Sequence, residues 1–249
     1  MRFTPTAFIG SQAGTLSFIG GVSGSYTSGG INYGFNKFTT SGTLTVGSNT
    51  DVDILVVGGG ASGGQTGGGG GGVLYNSIRL YKGTYNVTVG GSVVSGSNGQ
   101  SSSIAAYGYN YLAMGGEAGG NSGQPTSNLP GASFSCGGGN SPGGGGGSAA
   151  TSGSDATCTP SSIGGNGANG LTYNMDGTAS VYGSGGGGRG RATPGGFASG
   201  GSGGTNAGSG GSFPAFATSA INGFGGGGGG SYDGRGGGAS GVVIVRYRL

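Results

Sequence analysis

Alternation of apolar and polar residues marks short stretches of this chain as β-strands. In residues 84–89 (TYNVTV), the two-residue repeat puts Tyr85, Val87 and Val89 on one face. Residues 51–57 (DVDILVV) alternate first and then become continuously apolar, which predicts a strand whose end is buried. Residues 73–80 and 102–107 are predicted strands as well, and Tyr81-Lys82-Gly83 turns the chain between 73–80 and 84–89. FNKFTT (35–40) and TLTV (43–46), separated by Ser41-Gly42, read as a hairpin. The closing stretch GVVIVRYRL (241–249) is a strand expected to pair with 51–57 or with the hairpins. Spaced apolar residues before position 34 (Phe3, Phe8, Ile9, Leu16, Phe18, Ile19) suggest short strands or an extended arm. No segment carries a 3.6-residue period, so almost no α-helix is expected.

This grammar stops near residue 115. Between 115 and 241 glycine-rich islands alternate with inserts at 124–134, 149–163, 171–182 and 213–221, a loose repeat of irregular length. The chain holds 74 glycines in 249 residues, about four times the usual share of ~7%. Glycine runs have no side chains to bury, and ordering each residue costs ~1–2 kcal/mol. The physical solution is a layered bundle of polyproline-II-type helices, with ~3 residues per turn and outward-pointing backbone groups. Threads without Cβ atoms approach closely enough to hydrogen-bond to one another. The expected fold is therefore mainly β. It has an antiparallel module at 35–114, joined by 241–249 and preceded by an arm at 1–34, and a glycine-rich bundle at 115–240 whose inserts form exposed loops.

Charge narrows the function classes. The chain has nine basic and six acidic residues, no histidine and a net charge of +3, so steering toward nucleic acid by a broad field is not expected. The scattered acids and the two cysteines lack metal-site spacing. Cys136 and Cys158 are either a disulfide across a loop or two free thiols. The first residues, MRFTP, show no uninterrupted apolar region of a signal peptide. A product made and kept in a cytoplasm until release is expected.

Two motifs invite a ligand and fail. Gly58, Gly60 and Gly63 fit G-x-G-x-x-G after a strand, but Gln65-Thr66 and six glycines follow where a helix is needed, and no acid lies between Asp53 and Glu117. Gly188-Arg189-Gly190-Arg191 and Gly234-Arg235-Gly236-Gly237 resemble RNA-binding arginine–glycine segments but are too few. Their arginines read better as caps on carbonyls at island ends. With no histidine and only Lys37 and Lys82 as amine bases, no nucleophile–base pair assembles, so neither an enzyme nor a cofactor is expected. Asp51 and Asp53 share a face of their strand and read as polar residues at its start.

The inserts carry tyrosine, serine, glycine and asparagine, the composition of adaptable binding loops. Tyr173, Asn174, Phe213, Phe216 and Tyr232 are the candidate contact residues; small apolar plugs at the bundle ends are the other reading, favoured for the phenylalanines.

The order of FTTSGTLTV (38–46), VDILVVGGG (52–60), the glycine run into Val73-Leu74-Tyr75, GTYNVTVG (83–90) and GVVIVRY (241–247) resembles the glycine-rich domain of phage tail-fibre and other virion proteins. The glycine-island half is also similar to the tail-fibre tip adhesins of T-even-like phages, although the β segments and the C-terminal strand depart from that pattern. The resemblance implies layered polyglycine helices with loops that touch the host surface. It leads to the expectation of a homo-oligomeric virion attachment protein, assembled in the host cytoplasm without a signal peptide. Its partners would be a host glycan or outer-membrane protein and other virion subunits. The alternatives are a purely structural decoration or extracellular filament subunit, and an ice-binding protein, against which the bulky inserts argue.

Overall fold

The computed structural model describes residues 21–94, 96–106, 108–118, 148, 150–154, 156, 163–191, 199–212, 216–231 and 235–249, and the backbone of 16–19. Twelve strands are described: β1 (Leu16–Ile19), β2 (Val22–Ser28), β3 (Ile31–Phe38), β4 (Gly42–Val46), β5 (Thr50–Val57), β6 (Val73–Leu80), β7 (Gly83–Thr88), β8 (Ser102–Ala106), β9 (Tyr109–Ala113), β10 (Leu171–Asn174), β11 (Ala179–Tyr182) and β12 (Val242–Arg248). No helix occurs among the described residues. One five-stranded sheet runs β1-β4-β7-β8-β9, a second runs β2-β3-β12-β5-β6, and β10-β11 form a hairpin of their own. All of these ladders are antiparallel. The last strand lies at the centre of the second sheet, between β3 and β5, with Val243 opposite both Phe38 and Val56.

The two five-stranded sheets pack face to face. Phe38, Val52, Ile54, Val56, Leu80, Val243 and Val245 of the second sheet meet Leu44, Val46, Tyr85, Val87, Ile104, Ala106 and Ala113 of the first in one buried cluster. Tyr85 and Val87 are buried in it and Val89 packs against it, which is the face the alternation predicts. The hairpin expected from 35–46 does not form. β3 pairs with β12 while β4 pairs with β1 and β7, so Thr39-Thr40-Ser41 carries the chain from one sheet to the other. Tyr81-Lys82 does the same between β6 and β7. Both arrangements bury Phe38, Leu44 and Val46. A period of two reports which face is apolar and says nothing about whether two such strands pair edge to edge or meet across a core.

The glycine segments obey a different rule. After β5, Gly58 and Ala61 donate to Gly72 and Gly69, Gly59 and Ser62 to Gln100 and Ser97, and Gly60 and Gly63 to Ala239 and Gly236. Each neighbour is thus served by every third residue. The segment 225–231 repeats this in full. It donates to 184–187 from Gly227 and Gly230, to 61–64 from Gly228 and Ser231, and to Thr218 from Gly229. It accepts from 68–71 at Gly225 and Gly228, from 236–239 at Gly226 and Gly229, and from 208–211 at Gly227 and Gly230. Six other segments surround this one thread. A three-residue repeat with groups pointing outward in three directions is the repeat of the polyproline-II helix. Crowding explains the residue choice. A Cβ on Gly228 would fall 2.7 Å from the Gly237 carbonyl oxygen, and nearer still to Gly236. Real Cβ atoms do not approach backbone so closely, so alternatives to glycine are excluded by the neighbouring thread. Threads 58–63 and 68–72, which leave and enter β5 and β6, lie inside this lattice.

Candidate functional site

The outer face of the second sheet changes character along its strands. Leu55 and Val57 of β5 and Val242 and Ile244 of β12 are apolar and buried, and the hairpin β10-β11 covers them with Met175 and Tyr182. Asp176-Gly177 makes the hairpin turn, with Gly177 at φ 89°, a conformation that side chains other than glycine rarely adopt. Lys37 of β3 fixes that turn through an ion pair of 3.0 Å to Asp176.

Two residues further along the same face, the sheet turns polar. Arg246 on β12 stands opposite Asp53 on β5, which stands opposite Ser77 on β6. Arg246 donates from Nε (3.1 Å) and Nη2 (2.6 Å) to Asp53 Oδ2, and the Ser77 hydroxyl donates to Asp53 Oδ1 at 2.6 Å. Nη1 of Arg246 donates to the Asn174 carbonyl (3.0 Å) and the Tyr26 hydroxyl (3.1 Å), which ties hairpin to sheet. The guanidinium also lies 4.8 Å from the centre of the Tyr33 ring. Burial alone would raise the Asp53 carboxyl. The bonds from Ser77 and Arg246, the arginine charge and Tyr75 outweigh it and hold the group below the usual carboxylate range. Burial alone would lower Arg246, but the Tyr26 bond and the Asp53 carboxylate raise it.

One more step outward, Arg248 is opposite Tyr33, and Asp51 is opposite Arg79. Arg79 and Asp51 approach to 3.7 Å with side chains 47% and 59% exposed, a loose surface pair. These residues line a cleft of about 600 Å³ that wraps the end of the sheet: Tyr33, Asp51, Asp53, Ser77, Arg79, Arg246 and Arg248 stand on its outer face, and Val52, Ile78 and Tyr247 line it from the core side. Asp51 and Asp53 do share a face, as the alternation predicts, but they are members of this charged array and more than a strand start. The pairing of 241–249 with 51–57 carries the missing signal. Antiparallel register with Asp53 opposite Arg246 brings the i, i+2 acids to the i, i+2 arginines.

The predicted contact residues disperse. Tyr173 is half-buried on β10, stacked on Tyr75 with ring centres 5.3 Å apart, and burial together with Tyr75 raises its hydroxyl pKa. Asn174 is exposed next to it and gives its carbonyl to Arg246. Phe216 is 70% exposed on another segment. Phe213, Tyr232, Cys136 and Cys158 lie outside the described residues. The insert 171–182, expected as a loop, is a packed hairpin.

The glycine motif after β5 has no free donors for a phosphate, since the amides of Gly58, Gly60 and Gly63 are bonded to Gly72, Ala239 and Gly236. Arg189 is buried and donates to the Gln65 side chain at 3.2 Å, whereas Arg191 and Arg235 are exposed. No group of three or more acidic or sulfur ligands that could hold a metal occurs among the described residues.

No curated protein and no solved structure matches this chain. The family model described as the glycine-rich domain matches residues 36–248, a span from the middle of β3 to the end of β12 that contains both the glycine lattice and the cleft. The chain therefore belongs to the glycine-rich domain family.

Proposed function

We propose that this protein is a structural component of a phage virion, of the tail-fibre or adhesin type, which contacts the host cell surface. The observation that supports this reading is the saturated glycine lattice. Threads such as 225–231 commit their backbone groups to six surrounding segments and leave no space for side chains. An interior of that kind suits a stiff carrier. Recognition chemistry then belongs to the surface, where tyrosines, arginines and the exposed Phe216 are found. The partner is a host glycan or outer-membrane protein, and other virion subunits hold the carrier in place. The test is adsorption of the purified full chain to bacterial cells. Saturable binding that falls when Phe213, Phe216 and Tyr232 are replaced together by serine supports the loop-contact form. Absence of any saturable binding to a broad host panel sinks the attachment reading.

A purely structural role, as a virion decoration or a filament subunit, is supported by a separate observation. The edge strands β2 and β9 carry exposed Val22, Tyr109 and Leu112. Unpaired edges of this kind are templates for another strand. Electron microscopy of the purified chain separates the two: regular filaments without cell binding favour this role.

A further inference from the structure

We propose that the cleft at the end of the second sheet binds a carboxylate-bearing saccharide. This names a ligand class and a place for the host contact proposed above, and it rests on that reading only for its biological setting.

Charge placement is the first argument. The chain has only nine basic and six acidic residues. Five of those fifteen, Asp51, Asp53, Arg79, Arg246 and Arg248, line this one cleft. Hairpin packing accounts for Arg246 and Asp53, whereas Asp51, Arg79 and Arg248 are exposed and are used by neither the glycine lattice nor the sheet core.

The five divide into a floor and a rim. Arg246 is spent, with its three nitrogens engaged by Asp53, Tyr26 and Asn174, and Asp53 is satisfied by Arg246 and Ser77. They make a fixed floor. Arg79 and Asp51 touch only at 3.7 Å, and Arg248 is exposed opposite Tyr33. The rim therefore offers two guanidinium forks and one carboxylate with bonding capacity left. A guanidinium matches a carboxylate with two parallel bonds. A carboxylate is an acceptor for hydroxyls.

An acidic saccharide carries both complements on one ring. A polyphosphate supplies acceptors for the guanidinium forks but no hydroxyl donor for the Asp51 carboxylate. A neutral saccharide leaves the guanidinium forks without a charged partner. The volume of about 600 Å³ lies within the range of ligand clefts, ~300–1,000 Å³, and the Tyr33 ring adds apolar surface on the charged face. The groups stand on β3, β12, β5 and β6 of one sheet, so their spacing is set before the ligand arrives.

The test is calorimetric titration of the full chain with trigalacturonate and with sialyllactose, each beside its methyl ester, and with inorganic phosphate as a separate probe. Binding of either acid, at least tenfold weaker as the methyl ester and weakened by added salt, is the expected result. The variants Arg79→Gln and Arg248→Gln should each weaken it by about tenfold, which is ~1.4 kcal/mol. Arg235→Gln, outside the cleft, should leave it unchanged, and unaltered melting of all three variants shows that they fold. Equal affinity for acid and ester, full affinity in the Arg79→Gln/Arg248→Gln double variant, or binding of phosphate alone overturns the proposal. Cell adsorption by the double variant at wild-type strength overturns the cleft as the host contact and leaves the attachment reading standing. Loss of adsorption by the wild-type chain with retained saccharide binding does the reverse.

Discussion

Replacing Gly63 by alanine should unfold this protein far more readily than the same change at Gly64. A methyl group on Gly63 would stand 2.8 Å from the Gly230 nitrogen and nearer still to the Gly229 carbonyl, whereas one on Gly64 meets nothing within 4 Å. Neither residue has positive φ, so alanine is conformationally free at both. The backbone opposite Gly63 cannot rotate away as a side chain would. The threads 58–64 and 225–231 must separate by more than an ångström to reach an ordinary carbon–oxygen contact of ~3.3–3.6 Å. That distance breaks the bonds from Gly228 to Ala61 and from Ser231 to Gly64, both now 2.9 Å. Two buried unmade bonds cost about 1–3 kcal/mol each, so Gly63→Ala should lose roughly 2–6 kcal/mol. Gly64→Ala should instead gain ~0.4–1 kcal/mol, because alanine restricts the unfolded chain and nothing opposes it in the fold.

Urea unfolding of the two variants, followed by far-ultraviolet circular dichroism, reads the difference as a shift in midpoint at constant slope. A loss of several kcal/mol is a large fraction of the ~5–15 kcal/mol that holds an ordinary domain together. Two variants within ~0.5 kcal/mol of each other would refute the claim that backbone-to-backbone contact orders the glycine half.

Three further outcomes are expected. Asp53 is held below its ordinary value near 3.8, so its contribution is present above that value and is lost as pH falls through the lowered one. Asp53→Asn should lower stability by about 1 kcal/mol at neutral pH and flatten the acid limb of a melting-versus-pH curve. Tyr182 is buried and its hydroxyl is pushed up to about 12 by burial first and then by Asp176, with nearby Ser180 offsetting a little. No partner at hydrogen-bonding distance meets that hydroxyl among the described residues. The folded state therefore holds the Tyr182 proton more tightly, and stability should fall by roughly 2–3 kcal/mol as pH rises from 10 to about 12. Tyr182→Phe should soften that loss in an alkaline denaturation series. Met175→Ala opens a cavity under the hairpin and should cost about 2–5 kcal/mol, with faster amide exchange in 171–182 than in the paired sheets.

The strands were legible because their faces are. Alternation marks β7 and the start of β5, apolar composition marks β6, β8 and β12, and the apolar end of 51–57 announces a buried strand. Partner choice was less legible. Phe38 and Leu44 fit a hairpin as well as they fit two strands facing across a core, and the sequence pattern is the same in both. The hairpin β10-β11 had a usable signal in Asp176-Gly177 between LTYN and ASVY, but the surrounding glycine islands drew the whole insert into the loop category. The lattice was legible as a bundle of threads because bare glycine leaves the backbone no other partner. Its order of neighbours was not, since a run of identical residues carries no register.

The cleft was hidden for a related reason. Residues 51, 53, 246 and 248 are separated by nearly the whole chain, and only the return of the last strand brings them together. Along both β5 and β12 the same-face residues change from apolar to charged at the same height: Val57 and Leu55 give way to Asp53 and Asp51, while Val242 and Ile244 give way to Arg246 and Arg248. Opposite strands must change together, because a charge beside a covered apolar residue would be buried without a partner. The hairpin covers the apolar half and stops where Arg246 reaches its Asn174 carbonyl. The boundary between covered and open sheet is therefore set by Arg246 itself, so replacing it should loosen the hairpin and the cleft floor together, whereas replacing Arg79 or Arg248 should touch the rim alone.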